Sequence, residues 1–84
     1  MNQTTEQAKA ELKAELKKGL EHLQTLRDEI RVRLHLAGMN ARAEWDKLEP
    51  RVLEVERAAG EATEASKRAM TEALDALKRL RQSL

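Results

Sequence analysis

The sequence predicts an all-α protein, a long antiparallel helical hairpin of coiled-coil type that assembles as a four-helix bundle. Apolar residues recur at steps of three and four along most of the chain, which is the period of a helix that buries one face. Charged residues make up 37% of the chain and apolar residues 40%, a balance typical of long helices. Phe and Tyr are absent, whereas strands favour aromatic and β-branched residues. We therefore expect one helical domain spanning residues 1–84.

The apolar stripe predicts the seam along which the two helices of the hairpin pack. Its members on the first helix are Leu16, Leu20, Leu23, Leu26, Ile30, Leu34 and Trp45. Its members on the second helix are Val52, Val55, Ala62, Ala69, Ala73, Leu77 and Leu80. Between residues 58 and 76 the second helix presents mostly alanine to the larger side chains of the first helix, which lets the two helices approach closely.

Two sites in the sequence compete for the turn of the hairpin. A glycine inside a helix costs about 1 kcal/mol and a proline about 3 kcal/mol, so Pro50 interrupts a helix more strongly than Gly38 does. The expected elements are helix 1 at about residues 5–46, a turn at 46–50 and helix 2 at about 50–83. A turn at 38–40 and a kinked continuous helix stay open as alternatives. The sequence does not decide whether the helices pair within one chain or swap between two chains.

A second apolar face predicts an interface with another protein chain. Val32, Leu36, Met39 and Ala43 lie roughly opposite the seam on helix 1, and Leu53 lies on the back of helix 2. Contiguous exposed apolar patches usually mark contact sites, and a lone two-helix hairpin buries little core. We therefore expect these five residues to form an oligomer or partner interface, and we expect a homodimer.

No residue pattern indicates catalysis, a cofactor or a metal site. The chain has no cysteine, so disulfide and zinc-thiolate chemistry are excluded. His22 and His35 stand 13 residues apart without the His or Glu spacing of helical metal sites. The polar start of the chain lacks the apolar segment of a signal peptide, and no stretch has the length of a membrane span. These observations favour a non-enzymatic cytoplasmic protein without catalytic, cofactor-binding or metal-binding residues.

The faces of the helices then suggest an interaction module, a small self-associating hairpin that offers a helical surface to a protein partner. One alternative is an amphipathic protein that binds membrane surfaces, although the net charge of +1 and the lack of interfacial aromatic residues count against it. Another alternative is weak nucleic-acid binding through the stripe of Arg27, Arg31 and Arg42, beside His35. Interspersed acidic residues and the lack of aromatic residues for base stacking make that function less favoured.

Overall fold

The chain folds into three α-helices. The computed structural model describes the backbone of residues 2–84 and the side chains of residues 7–84. The helices are α1 (Asn2–Leu34), α2 (Met39–Ala58) and α3 (Glu64–Ser83), with a short 3₁₀ helix at Ala59–Glu61. Because residues 2–84 contain no strand, the predicted all-α class is confirmed. The bundle is 54 Å long and 16 to 17 Å wide.

Ion pairs between the helices establish their directions. Arg27 pairs with Glu56 at 2.6 Å, and Arg31, further along α1, pairs with Glu49, which comes earlier in α2. The two helices are therefore antiparallel.

Contacts between α1 and α3 advance together along both helices. Lys67 binds Glu15 near the start of α3 at 2.9 Å, and Arg81 binds Glu29 near its end at 3.0 Å. Helix α3 is therefore parallel to α1, whereas the predicted hairpin made the C-terminal helix antiparallel to α1.

The predicted turn at residues 46–50 was wrong, because Pro50 lies inside α2. Proline removes the backbone hydrogen bond to the residue four positions earlier, here the carbonyl of Asp46. Both Pro50 and Asp46 are exposed, so water can bind this carbonyl. The chain instead reverses at residues 35–38, close to the alternative turn at 38–40, and again at 59–63.

The first reversal is built around Gly38. The amides of Leu36 and Ala37 donate to the carbonyls of Arg33 and Leu34, which tightens the end of α1. Gly38 then takes an extended conformation as the N-cap of α2, without a side-chain cap. Nothing lies within 4 Å of the position that a Cβ of Gly38 would occupy, so this turn is open to solvent.

The second reversal is held by a buried serine. The amide of Ser66 donates to the Thr63 side chain at 3.0 Å, which caps the N-terminus of α3. The Ser66 hydroxyl donates to the carbonyl of Ala58 at 2.8 Å and so ties the end of α2 to the start of α3. Ala62 adopts the left-handed conformation between them, with φ of 52°. This turn was not predicted from the sequence.

The residues of the predicted seam form the core of three helices rather than a seam between two. Eleven of them are buried: Leu16, Leu23, Leu26, Ile30, Trp45, Val52, Val55, Ala62, Ala73, Leu77 and Leu80. The other three, Leu20, Leu34 and Ala69, are partly buried against this core. With a third helix, the apolar stripes of all three helices are buried against one another within one chain, whereas two helices bury only the seam between them.

Met70 joins this core although the stripe did not include it. It is 4% exposed and packs directly over Gly19 of α1. A Cβ on Gly19 would lie 2.8 Å from Cγ of Met70, so the missing side chain of Gly19 gives α3 its close approach to α1. The neighbouring Glu15 carboxylate accepts a hydrogen bond from Lys67 and raises the pKa of that ammonium group above its ordinary value.

Candidate interaction surfaces

The five residues of the predicted interface all lie on the surface of the bundle. Leu36 is 95% exposed, Met39 87%, Val32 71% and Leu53 48%, and Ala43 is also exposed. They do not form one patch. Leu53 follows Met39 by 14 residues on α2, which is about 21 Å along a helix axis. The predicted interface is therefore divided between the α1–α2 turn and the far half of α2.

The part at the turn is the most apolar exposed region among the described side chains. We call Val32, Leu36, Met39 and Ala43 the apolar tip, because they surround the end of the bundle where α1 passes into α2. Leu36 lies in the turn itself and, at 95% exposure, makes almost no contact with the rest of the chain.

Positive charge predominates in the segment of sequence that carries the apolar tip. Residues 31–43 contain Arg31, Arg33, Arg42 and His35 but no Asp or Glu. The formal charge of this segment is therefore +3 with neutral histidine, whereas the whole chain carries +1. The remainder of the chain thus carries −2, so the charge is unevenly distributed along the bundle.

The predicted arginine stripe is divided among several contacts. Arg27 and its partner Glu56 are about one-fifth exposed, and the Nε atom of Arg27 is buried without a hydrogen-bond partner among the described residues. Arg31 pairs with Glu49, and Nε of Arg42 donates to the carbonyl of Leu34 at 3.4 Å. The first two arginines therefore help to join α1 to α2.

An apolar groove runs between α2 and α3. Its volume is about 260 Å³. It is lined by Leu48, Val52, Val55 and Ala58 of α2, by Ala69, Ala73 and Ala76 of α3, and by the charged residues Arg51, Glu54 and Glu72. Small alanine side chains on the α3 side leave room for another helix to approach. The groove was not predicted, because α2 and α3 face each other only after the turn at 59–63.

The other side chains considered for chemistry, apart from His35 at the tip, lie away from these surfaces or in the core. His22 is exposed on α1, and Trp45 is 6% exposed in the core. Among the described residues no three His, Asp or Glu side chains lie close enough together to hold a metal ion. Likewise, no helix in residues 2–84 combines the length and apolar character required to cross a bilayer.

Comparisons with protein-family models, with curated protein sequences and with solved structures find no significant match for this chain.

Proposed function

We propose that this chain is a non-enzymatic helical interaction module that self-associates by packing its α2–α3 groove against the same groove of a second copy. The observation that carries this proposal is the groove itself, an apolar channel with helical walls and small side chains on the α3 side. Four helices, α2 and α3 of each copy, would then form a bundle, which is a common way to bury such faces. A cytoplasmic location stays a prediction from the sequence.

The charges at the groove favour a second copy as the occupant. A two-fold symmetric interface must be self-complementary. Arg51 and Glu54 lie about one turn apart on α2, and Glu72 lies on the α3 side. Because both signs of charge are present, Arg51 of one copy can meet a carboxylate of the other. A groove with charges of one sign only would instead favour a different partner of opposite charge.

Because one chain buries its own core, self-association is not needed for folding. The sequence argument required a dimer because a two-helix hairpin buries too little apolar surface. Here the buried residues Leu23, Leu26, Ile30 and Leu77 are fully enclosed within one chain. We therefore propose reversible association of folded monomers rather than a dimer that forms only on folding.

A charged residue in the groove tests this proposal. Ala76 is partly buried at the groove, and Ala76→Lys places a cation there while adding a favourable pair with Glu72 four residues earlier. We expect the dimer dissociation constant to rise at least about tenfold, since association would bury the added charged side chain in the groove that the second copy must fill. Sedimentation equilibrium measures this constant, and circular dichroism checks that the monomer stays folded.

Ala43→Lys is the matched control, because Ala43 is exposed at the apolar tip and outside the groove. The control should dimerise like the original chain. A chain that remains a monomer at all accessible concentrations would contradict the proposal. Loss of the dimer in Ala43→Lys but not in Ala76→Lys would also contradict it and would place the interface at the tip.

A further inference from the structure

We propose that the apolar tip binds an anionic lipid surface, with Leu36 and Met39 entering the headgroup region and the surrounding arginines contacting lipid phosphates. This inference concerns a different surface from the α2–α3 groove and is independent of the proposed self-association. It rests on the exposure of two large apolar side chains at the end of the bundle, and on the positive charge around them.

The large apolar side chains of the tip are almost fully exposed, although Leu36 also lines an open depression with Ala37, Ala41 and Leu84. Leu36 and Met39 are 95% and 87% exposed, and they lie at the end of a bundle only 16 to 17 Å wide. A protein partner would need a matching cavity to bury them. A fluid lipid interface needs no such cavity, because headgroups rearrange around the inserted side chains. Burial of apolar surface in the interface and attraction to anionic lipids act together in this mode of binding.

The charge around the tip selects an anionic surface. Arg33 and His35 are exposed, and Arg42 donates to a backbone carbonyl, which leaves its positive charge uncompensated. Arg31 is half exposed and pairs loosely with Glu49 at 3.4 Å. Juxtamembrane cations of this kind each strengthen binding to anionic leaflets. The low net charge of the whole chain conceals this local excess of +3 in residues 31–43.

A nucleic acid fits the tip less well than a lipid surface does. Recognition of single strands normally uses aromatic side chains on which bases stack. The only aromatic residue, Trp45, is 6% exposed in the core. In addition, a polyanion that binds through phosphates alone gives no role to the exposed Leu36 and Met39.

Vesicle co-sedimentation tests the proposal with the full chain. The probes are vesicles of phosphatidylcholine alone and vesicles that also contain phosphatidylserine, at low salt. We expect binding to the anionic vesicles and binding weaker by at least about tenfold to the neutral ones. The double variant Leu36→Ser, Met39→Ser should lower partitioning at least about tenfold, and Arg33→Gln should lower it about fivefold.

Matched controls lie away from the tip. Leu53→Ser removes an apolar side chain that is 48% exposed on α2, and Arg57→Gln removes an exposed cation near the end of α2. Both should bind anionic vesicles within about twofold of the original chain. All substituted residues are exposed, and circular dichroism verifies that the variants fold.

Several results would overturn the assignment to lipid. One is the absence of binding to phosphatidylserine vesicles at low salt, and another is an equal loss in the Leu53 and Arg57 controls. Weaker binding in Arg33→Gln, with no change in the double apolar variant, would show a general polyanion site instead. If the double apolar variant turned a dimer into a monomer, the tip would be a protein interface. Effects confined to the tip variants and to anionic vesicles would support the proposal.

Discussion

Replacing Leu26 with alanine is expected to lower the free energy of unfolding by about 3 kcal/mol. Leu26 is fully buried in the core, so the change removes its apolar contacts and leaves a cavity there. Folded domains of this length have total stabilities of about 4 to 13 kcal/mol. The variant should therefore retain a free energy of unfolding of about 1 to 10 kcal/mol, with its unfolding transition shifted to lower urea concentration. Urea unfolding followed by circular dichroism measures the difference.

The control for this change is Leu53→Ala, which removes the same atoms from a side chain that is 48% exposed. We expect it to lower stability by less than about 1 kcal/mol. Similar losses at both positions would mean that Leu53 is buried as deeply as Leu26, as it would be if the back of α2 faced another chain in the folded unit.

Replacing Pro50 with alanine is expected to raise the free energy of unfolding by about 1 to 3 kcal/mol. Pro50 lies inside α2, so alanine restores a backbone donor to the Asp46 carbonyl and a residue with better helix propensity. Pro50 is exposed, and the shorter side chain therefore removes little packing. Thermal and urea unfolding of the same samples measure the gain.

Pro50→Gly provides the comparison for the helix interpretation. Glycine also restores the donor, but it is about 1 kcal/mol less favourable than alanine inside a helix, so its gain should be smaller. At a turn the order would differ, because proline rigidifies the unfolded chain and often stabilises a compatible turn. A loss of stability in Pro50→Ala would contradict the placement of Pro50 within α2.

The apolar period determined which residues are buried but not how the helices connect. Leu23, Leu26, Ile30 and Leu77 are enclosed in the structure, and the stripe contained all of them. This agreement has a simple cause, since a step of three or four places residues on one face whatever that face later meets. The period carries no information on the number of helices that share the core.

The turns were harder to predict because the free-energy cost of a proline or glycine inside a helix competes with the gain from burying the core. Pro50 is a stronger helix breaker than Gly38 by about 2 kcal/mol, and the sequence interpretation followed that difference. The structure accepts the proline on an exposed face and reverses the chain at Gly38. A third helix covers the stripe from a second side, and that burial outweighs the local cost. Thr63, whose side chain caps the N-terminus of α3, was the sequence signal that could have predicted the second turn.

The candidate surfaces could be predicted from the sequence to different degrees. Leu36 and Met39 lay off the apolar stripe, so the helical period predicted that they lie outside the core, but the exposure of Leu36 follows from its place in the turn. The groove could not be predicted, since Leu48 and Ala76 line it only because α2 and α3 pack side by side. Arg27 was assigned to an exposed stripe, but it lies largely buried against Glu56. Its burial between two helices could be predicted only with knowledge of how α1 and α2 are aligned.

The three-helix arrangement differs most from the predicted hairpin in one feature, which is that α3 lies beside α1 and parallel to it. Spin labels at Glu15→Cys and Lys67→Cys measure this directly, because the chain has no other cysteine. The two side chains form an exposed ion pair, and losing such a pair costs at most about 1 kcal/mol.

Electron paramagnetic resonance then reports the distance between the two labels. Adjacent parallel helices place the labelled backbones about 10 Å apart, and we expect strong short-range coupling between the labels. An antiparallel hairpin with its turn at 46–50 would separate the two positions by about 22 Å along the helix axis. A distance distribution centred there would contradict the three-helix bundle and both surfaces proposed on it.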